Sequence, residues 1–414
     1  MLKSGNVGPS ASSTTGSSLT RSYAEYKQIF AGTRMPFAFL DLDLLDENIR
    51  QVVARAGGKR IRVASKSVRC VAALKRILAA DPCFIGVMCL TAREAGFLSE
   101  HGIEDILIGY PCMHQEDIAD VARATQAGSR ITFMVDALEQ VERIEMVARG
   151  FDVRLPVCLD VDLSLDIPGL HFGVWRSPIH SAADARPIIE RVLASPHLIL
   201  DGVMGYEAQI AGVGDNYPRQ ALKNSLVRVL KRRSVGMVAE RRAEVVRSIQ
   251  ALGGELRFVN GGGSGSMATT RTEPVVTELT VGSAFFSPAL FDNYRDFRYL
   301  PAVGFAVEVV RQPAPGIFTC LGGGYVASGA PGADRLPRPY LPADAWLDPL
   351  EGAGETQTPV RYAGPEKISL GDPIFFRHSK AGELCERFAR LVLVQGGSIV
   401  GEATTYRGDG QCFL

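Results

Sequence analysis

A lysine in the segment RIRVASKSVRC, residues 60–70, stands where a short β-like run ends. Lys66 lies between two hydroxyl residues, Ser65 and Ser67, rather than on the solvated face of a helix. We expect the wall of the fold to desolvate it in part, which lowers the pKa of a lysine and leaves a usable neutral amine. A neutral amine can attack an aldehyde to form a Schiff base. A surface lysine that caps the strand, or one that begins the next helix, would give the same pattern.

A second chemical feature is the glycine run VNGGGSGSMATT at residues 259–270, which follows another strand candidate. Its glycines let backbone N–H groups approach an anion, and Ser264 and Ser266 add hydroxyl donors. The run is not GxGxxG, and no long helix with an acidic residue about 20 positions on follows it, which disfavours a dinucleotide fold. A flexible loop is the alternative. A lysine that holds an aldehyde and a loop that holds a phosphate together meet the needs of pyridoxal 5'-phosphate.

Composition limits the partners of the chain. Of its 414 residues 46% are hydrophobic, and Lys+Arg and Asp+Glu both number 45. No basic excess exists to bind nucleic acid or an anionic membrane, so the expected partner is a small molecule or another copy of the chain. The 8 cysteines form no CxxC pair, which is typical of buried thiols in a reducing compartment. With no signal segment and no apolar stretch of ~20 residues, the sequence predicts a cytoplasmic protein.

Short apolar runs alternate with amphipathic segments over much of the chain. The predicted strands are FAFLDLD, RIRVAS, CFIGVMCL, DILIGY, RITFMVD, LPVCLDVD, LILDGVMGY, ELRFVN and VVTELTV. Two helix starts are marked by predicted capping boxes, Thr91 with Glu94 and Asp136 with Glu139, and the glycines at 102 and 150 are predicted to end these helices. Repeated strand–helix units indicate a parallel sheet. About eight units over about 250 residues favour a (β/α)8 barrel of the TIM type.

The pattern divides the chain into three parts. Residues 1–22 are rich in Ser, Thr and Gly and are predicted to be a disordered tail. Residues 36–295 are predicted to form the barrel. Residues 296–414 are predicted to form a C-terminal, mostly antiparallel β domain, because strands alternate there around Gly and Pro without a helical period. The strand candidates exceed the eight of a barrel by one, so either the first, at residues 36–43, lies elsewhere or the last begins the second domain.

From about residue 35 to its C-terminus the chain resembles the barrel-type (fold type III) pyridoxal-phosphate enzymes, which contain a domain like the N-terminal domain of alanine racemase. Within them it resembles the D-threonine aldolase and D-serine dehydratase branch, and the bacterial group called amino acid deaminase/aldolase. RVASKSVR resembles the lysine segment of the family, VNGGGSGS its phosphate loop, and FFRHSKAGELCERF with TYRGDGQCF its C-terminal signature. The resemblance implies that the first strand joins the β domain. It also implies a homodimer in which the β domain of one subunit closes the active site of the other.

The same resemblance implies a set of cofactor contacts. Lys66 carries the aldehyde, and Tyr206, in YEAQ, lies at a strand end beside the cofactor. The phosphate is held by Gly262, Gly263, Ser264 and Gly265. His171 stands where the family has an arginine after the sixth strand, with Arg176 close by.

The expected metal ligands are altered in this chain. The branch holds a divalent metal with a histidine and, two residues on, a cysteine or aspartate. Here His378 is followed two residues on by Lys380, and a protonated lysine repels a cation. The sequence therefore disfavours a divalent metal, with His378 as the sole candidate ligand.

The leading hypothesis is a pyridoxal-phosphate-dependent lyase that acts on 3-hydroxy D-amino acids, by aldol cleavage or by dehydration, through a Lys66 Schiff base. His378, placed among charged residues, is predicted to lie near the substrate and to handle the proton of its β-hydroxyl group. One alternative is an amino-acid racemase, with Lys66 and Tyr325 as the bases on the two faces of Cα, although Thr280 stands where racemases of the fold have an arginine. Another is a non-catalytic carrier of the cofactor. Carriers of that kind lack a second domain, which argues against this alternative.

Overall fold

The computed structural model describes residues 19–414. The helices in that range are α1 (Tyr23–Ile29), α2 (Leu42–Ala56), α3 (Val71–Ala80), α4 (Ala92–Glu100), α5 (Gln115–Gln126), α6 (Leu138–Gly150), α7 (Ala182–Leu193), α8 (Ala208–Ala211), α9 (Ala221–Ala251), α10 (Met267–Thr270) and α11 (Ser283–Phe286). Within residues 19–414, no helix combines the length and the apolar character that crossing a bilayer requires.

The strands account for every predicted strand segment. They are β1 (Phe37–Asp41), β2 (Arg60–Ala64), β3 (Phe84–Cys89), β4 (Asp105–Pro111), β5 (Arg130–Val135), β6 (Leu155–Val161), β7 (Leu165–Ile167), β8 (Leu170–Phe172), β9 (Leu198–Gly205), β10 (Phe258–Gly261), β11 (Glu278–Val281), β12 (Val303–Ala314), β13 (Ile317–Leu321), β14 (Arg338–Leu341), β15 (Trp346–Leu347), β16 (Gln357–Arg361), β17 (Pro373–Arg377), β18 (Arg390–Gln395) and β19 (Ser398–Thr404).

A closed parallel barrel forms the larger part of the described chain. Its strands follow the order β10, β11, β2, β3, β4, β5, β6 and β9. The predicted (β/α)8 barrel is therefore confirmed. A strand such as β6 is buried along its whole length, as expected where helices cover a parallel sheet. One apolar cluster joins five of the barrel strands, and it consists of Leu107, Met134, Cys158, Met204 and Phe258.

A second, mostly antiparallel sheet contains the C-terminal strands together with β1. Strand β1 pairs antiparallel with β12 and parallel with β18. The first predicted strand therefore lies outside the barrel, and the excess of one strand candidate is resolved. The exact division at residues 295 and 296 stays a prediction.

The predicted N-terminal tail, residues 1–22, lies outside the described residues as far as residue 18. From residue 19 onward the chain makes specific contacts. The Arg21 guanidinium pairs with Asp41 at 2.8 Å and also with Asp43, and Ser22 caps α1. The part of the chain that is held by the fold thus begins within the range predicted as tail.

The helix caps differ in detail from the predicted boxes. Thr91 caps α4 by accepting the Glu94 N–H at 3.2 Å, but the Glu94 carboxylate accepts from Leu90 N rather than from Thr91. The box predicted for Asp136 and Glu139 is wrong. Helix α6 begins one residue later, and the Gln140 side chain accepts the N–H groups of residues 136 and 137.

Candidate active site

A cavity of about 420 Å³ lies where the barrel strands end. Its wall includes residues that follow β2, β3, β9, β10 and β11. This is the face at which barrels of this type carry their active sites. Residues from the C-terminal part of the chain, among them Arg335 and Lys380, complete the wall. Of the residues predicted from sequence, Lys66, Tyr206, Gly262, Gly263 and Ser264 lie in this wall.

Lys66 lies in a short 3₁₀ turn, Ser65–Ser67, directly after β2. Its side chain is exposed to the cavity, so the expected desolvation by the barrel wall is wrong. The backbone of the turn is held firmly. Arg69 Nε donates to the Lys66 carbonyl at 2.9 Å, and a Cβ added to Gly382 would lie 2.8 Å from the same oxygen. The lysine turn is therefore enclosed between the barrel and the segment after β17.

A buried carboxylate anchors the residue before the lysine. Glu94 accepts hydrogen bonds from Ser65 Oγ at 2.6 Å and from Tyr406 Oη at 3.0 Å. Burial raises the pKa of Glu94 although these donors and Leu90 N favour its charged form. The C-terminal segment thus reaches the lysine turn through Tyr406. Sequence reasoning missed Glu94 as a site residue, because its position in a helix cap explained it fully.

The glycine loop, residues 261–266, leaves room for an anion beside Ser264. Gly262 has a φ of +89°, which favours glycine. The N–H of Gly262 is donated to Glu207 at 3.2 Å and that of Gly263 to Ser266 at 3.0 Å, so these two groups serve the loop itself. The Ser264 hydroxyl accepts the Ala284 N–H at 3.0 Å and keeps its own proton to donate.

The glycines of this loop are required by space as well as by backbone conformation. A Cβ on Gly263 would lie 2.8 Å from Ala211 Cβ and 3.2 Å from Tyr206 Cε2, inside the cavity. A Cβ on Gly265 would lie 2.4 Å from the Ala211 carbonyl oxygen. Gly265 lies outside the residues that line the cavity, and its contact with the cofactor stays a prediction. The open cradle at Gly263 and Ser264 fits a phosphate group.

Glu207 determines the shape of the loop and escaped sequence reasoning. Its buried carboxylate accepts from Gly262 N, from Ser266 Oγ at 2.7 Å, from Thr270 Oγ1 and from Arg242 at 3.0 Å. Its only sequence signal was its position next to Tyr206, which lies half-buried in the cavity wall. Burial raises the pKa of Tyr206 to about 12, so its hydroxyl stays protonated and can donate a hydrogen bond.

The predicted contact from His171 is corrected by the structure. His171 lies on the β7–β8 hairpin, where its Nδ1 is 2.7 Å from Asp166 Oδ1 and its ring stacks on Trp175. Arg176 instead lies in the cavity wall, pairs with Asp160 at 2.7 Å and donates to the Gly109 carbonyl at 2.6 Å. Arg176, five residues further along the chain, is therefore the cation of this region that lines the cavity.

His378 is buried, contrary to the expectation drawn from its charged neighbours. It is 4% exposed and is not part of the cavity wall. The Arg377 guanidinium points to Asp292 at 2.8 Å, which leaves the histidine packed behind the strand end. Burial, and then the charge of Arg377, lower the pKa of His378 to about 3. The ring is therefore neutral near physiological pH.

A divalent metal does not fit the place where the resemblance implied one. Lys380, two residues after His378, lies in the cavity wall and donates to Ser328 O at 3.3 Å and to Ser328 Oγ at 3.2 Å. Among residues 19–414, no group of three His, Cys, Asp or Glu side chains is arranged to hold a metal ion. The ammonium of Lys380, two residues after His378, repels a cation and is unsuited to the second ligand position.

Tyr325, the second base of the racemase alternative, packs inside the second sheet. Its ring meets Phe305 and Phe388 edge to face, with centroids 5.0 and 5.2 Å away. Within this chain it is not part of the cavity wall. Thr280, in contrast, lies in the wall and donates to Asn260 at 3.0 Å, so a neutral hydroxyl occupies that position.

A parallel barrel with a strand-end lysine and a glycine-rich anion loop in one cavity, joined to an antiparallel sheet, defines the alanine racemase-like class of proteins. The chain belongs to the family described as alanine racemase, N-terminal domain, whose model matches residues 40–286. Membership of this family implies pyridoxal phosphate as the cofactor, and the open cradle and exposed lysine fit that group.

Sequence and structure comparisons add named relatives. The chain is 24% identical over 263 residues to 3-hydroxy-D-aspartate aldolase of Paracoccus denitrificans strain Pd 1222, a match that spans 63% of this chain and 62% of the relative. Its fold is similar to that of D-threonine aldolase from Filomicrobium marinum, with a TM-score of 0.76, 19% identity and coverage of 92% and 96% of the two chains. D-threo-3-hydroxyaspartate dehydratase from Delftia sp. HT23 gives a TM-score of 0.69 at 19% identity, with coverage of 90% and 98%.

Proposed function

We propose that the chain is a pyridoxal-phosphate-dependent lyase that acts on 3-hydroxy D-amino acids. The observation that carries the proposal is the single cavity that contains both the exposed amine of Lys66 and the open cradle at Gly263 and Ser264. The names of the relatives support it, since they are aldolases and a dehydratase of 3-hydroxy D-amino acids. Aldol cleavage and dehydration are both reactions of 3-hydroxy amino acids.

The side chains of the cavity have separable roles in this proposal. Lys66 would hold the aldehyde carbon of the cofactor, and the Ser264 hydroxyl, which keeps its proton to donate, would hold the phosphate. When bound, pyridoxal phosphate supplies an electron sink for the electrons of a bond broken at Cα. The protonated Tyr206 hydroxyl would donate a hydrogen bond into the cavity. Arg176, fixed by Asp160 and Gly109, would present the rest of its guanidinium to an anionic group.

The proton of the β-hydroxyl group is not assigned to His378 in this proposal. His378 is 4% exposed and lies outside the residues that line the cavity, so the proposal gives it no proton-transfer role. His378 is proposed to support the segment that ends at Lys380. No step in the proposal uses a divalent metal, because the residues at the expected metal position do not suit one.

The proposed setting follows from the same features. The partner is a small D-amino acid, without nucleic acid or membrane, and the chain is proposed to act as a homodimer with shared active sites. Trp175, 86% exposed near the cavity residue Arg176, is an apolar surface that a second subunit would cover. The cysteines are free, which suits a cytoplasmic location. Sedimentation equilibrium is expected to give twice the mass of one chain, and the mass of a single chain would contradict the homodimer.

A substrate panel tests the proposed activity. Purified protein loaded with pyridoxal phosphate is expected to release aldehyde and glycine, or ammonia and a keto acid, from D-threonine, D-serine or other 3-hydroxy D-amino acids. The L-enantiomers serve as the matched control. Racemisation is tested in the same tubes by the entry of solvent deuterium into L-alanine with inversion. Silence on every 3-hydroxy D-amino acid would refute the lyase.

The lysine that holds the cofactor can be located directly. The loaded protein is expected to be yellow, and the band is expected to disappear in Lys66→Ala, because this amine is the one beside the cradle. Lys380 is the rival amine, since it shares the cavity wall. Borohydride reduction fixes the cofactor on its lysine, and peptide mapping is expected to find it on Lys66 in both the native chain and Lys380→Met. A label on Lys380, or no label, would overturn the assignment.

A further inference from the structure

A hydrogen-bond relay, formed by Arg62, Glu278, Asn260 and Thr280, runs from the interior of the barrel to the cavity. The Thr280 hydroxyl donates to Asn260 Oδ1 at 3.0 Å, and Asn260 Nδ2 donates to Glu278 Oε1 at 2.9 Å. Glu278 in turn accepts from Arg62 Nε at 2.8 Å and from Arg62 Nη2 at 3.2 Å. Thr280 and Asn260 lie in the cavity wall, whereas Glu278 and Arg62 are fully buried inside the barrel. The relay therefore connects a buried ion pair to the floor of the cavity.

The donor and acceptor roles along this relay are fixed from its buried end. A guanidinium only donates and the carboxylate paired with it only accepts, so the Asn260 amide must turn its NH2 group toward Glu278. The carbonyl oxygen of that amide then faces Thr280 and must accept. The Thr280 hydroxyl donates its single proton to Asn260. The group that Thr280 presents to the cavity is therefore an oxygen lone pair, which can accept a hydrogen bond but has no proton to donate.

Negative charge predominates in the barrel interior around the relay. Arg62 pairs with Asp105 as well as with Glu278, and Arg257 pairs with Asp105 and with Asp201. Among the described residues this network contains three carboxylates and two guanidinium groups. An excess of negative charge on one side of a nitrogen stabilises its protonated form.

The charges on the cavity side act in the opposite sense. Among the described residues, the cations of the wall are Lys66, Arg176, Arg335 and Lys380. The other titratable side chains there are four tyrosines and Cys89, types that are neutral near pH 7. The cations disfavour a protonated nitrogen, and the phosphate group proposed at Ser264 offsets them in part. Protonation of a nitrogen at the floor therefore depends on a direct acceptor.

The relay ends between the two anchors proposed for the cofactor. Lys66 follows β2 and Ser264 follows β10, and β11, which carries Thr280, pairs with both strands. The aldehyde and the phosphate arm of pyridoxal phosphate leave adjacent ring carbons, and the ring nitrogen lies opposite the aldehyde. A ring held at both anchors therefore extends over β11. Its nitrogen is a polar atom that needs a hydrogen-bond partner once it is buried.

We infer that Thr280 accepts a hydrogen bond from the ring nitrogen of bound pyridoxal phosphate and thereby keeps that nitrogen protonated. The wall side chains Ala64, Met88 and Met204, on neighbouring barrel strands, offer no comparable acceptor. A protonated ring is the stronger electron sink, so the contact tunes the chemistry that the cofactor supplies. This inference rests on the proposed function for the identity of the cofactor. Asn260 acts as a positioning residue, because it fixes the direction of the Thr280 hydroxyl.

Nitrogen-15 NMR of the protein loaded with pyridoxal phosphate labelled at the ring nitrogen measures protonation without turnover. The native protein is expected to hold the nitrogen protonated at neutral pH. In Thr280→Val the pH of half protonation is expected to fall by about one unit, a tenfold change that corresponds to one hydrogen bond. Thr280→Ser retains the hydroxyl and is expected to keep the native value. Thr319→Val, the same change at a threonine of β13 that is 6% exposed and outside the cavity wall, is the matched control.

Asn260→Ala tests the direction of the relay. This variant keeps Thr280 but removes the oxygen that accepts its proton, so the hydroxyl can turn and donate into the cavity. The pH of half protonation is expected to fall toward that of Thr280→Val, although the residue in contact with the cofactor is unchanged. A native value in Asn260→Ala would contradict the relay. Circular dichroism of all the variants controls for misfolding.

The result for the ring nitrogen can be separated from the result for the lyase. A nitrogen that is unprotonated in the native protein at neutral pH, or an equal pH of half protonation in the native protein and Thr280→Val, would overturn the inference. Turnover of 3-hydroxy D-amino acids together with either result would leave the lyase proposal intact. Silence on every 3-hydroxy D-amino acid together with the expected change in Thr280→Val would support the inference and refute only the lyase.

Discussion

At the scale of single residues, the chemistry of this chain depends on which side chains turn into one cavity. Lys66, Tyr206 and Ser264 do so from three different strand ends. His171 and His378 do not, although their residue type suits binding and proton transfer. Their burial and partners exclude them from the cavity wall, and Arg176 and Lys380 occupy it instead.

The conclusion that Arg176, and not His171, contributes to the site can be tested by mutation. Arg176→Gln is expected to lower kcat/KM on D-threonine about tenfold or more, because it removes a cavity cation and leaves Asp160 without its partner. His171→Asn is expected to change the same value less than about twofold, as for a surface position. Circular dichroism of both variants controls for misfolding. The reverse order of effects would restore His171 as the cofactor contact.

At the scale of elements, the lysine turn is positioned from three directions. Arg69 binds the Lys66 carbonyl, Glu94 at the start of α4 binds Ser65, and Tyr406 from the C-terminal segment binds Glu94. The carboxylate receives three donors and no cation among these contacts. Burial outweighs these donors and raises the pKa of Glu94, so the neutral form is favoured more in the folded than in the unfolded chain.

This buried acid predicts a pH dependence of stability. Because the pKa of Glu94 is higher in the folded than in the unfolded chain, the folded state binds more protons just above the usual value of about 4.3, and stability is lost as pH rises. Glu94→Gln lacks this titration. We expect the unfolding free energy of the variant minus that of the native protein to increase as the pH rises from about 4 to about 7. Urea denaturation at each pH measures it, and a difference that is constant or falls with pH would contradict the raised pKa.

At the scale of the whole molecule, the first described strand, β1, lies in the second sheet. The chain then forms the barrel and afterwards returns to the second sheet. Strand β1 pairs with β12 and β18, while α2, which follows it directly, packs on the barrel beside α11. The two parts are thus joined at both ends of the barrel sequence. A destabilising substitution in β1 is therefore expected to destabilise both the barrel and the second sheet.

Phe39 in β1 tests this coupling. It is 1% exposed and packs against Tyr26, Phe30 and Phe375 with ring centroids 5.1 to 6.0 Å apart. Phe39→Ala is expected to cost about 3–5 kcal/mol of unfolding free energy through the cavity it leaves. Val400→Ala on β19, 54% exposed, is the control and is expected to cost less than about 0.5 kcal/mol. The loss of stability is expected to appear equally in unfolding followed by near-ultraviolet circular dichroism and in unfolding followed by the absorption band of the cofactor. A cofactor band that melts as in the native protein would show that the barrel unfolds independently.

Much of the fold and part of the site follow from local patterns in the sequence. Alternation of apolar runs and capped helices depends on neighbouring residues, and this suffices to predict the barrel strands, the strand-end lysine and the glycine loop. The same local view explains why Glu94 was interpreted only as a cap residue and why the α6 cap was misplaced by one residue, since the competing hydrogen-bond partners there are close in sequence and equivalent in type.

The remaining features depend on contacts between distant parts of the chain. Glu207 pairs with Arg242 only once the barrel has closed. Glu94 contacts Tyr406, and Lys380 lines the cavity, only once the C-terminal part of the chain has packed on the barrel. His378 is buried in the folded chain, where its neighbour Arg377 pairs with Asp292 from a different part of the sequence. Residue type and spacing by themselves determined which chemistry the chain could support. The tertiary structure decided which side chains carry it, because desolvation and ion pairing act between residues that are far apart in the sequence.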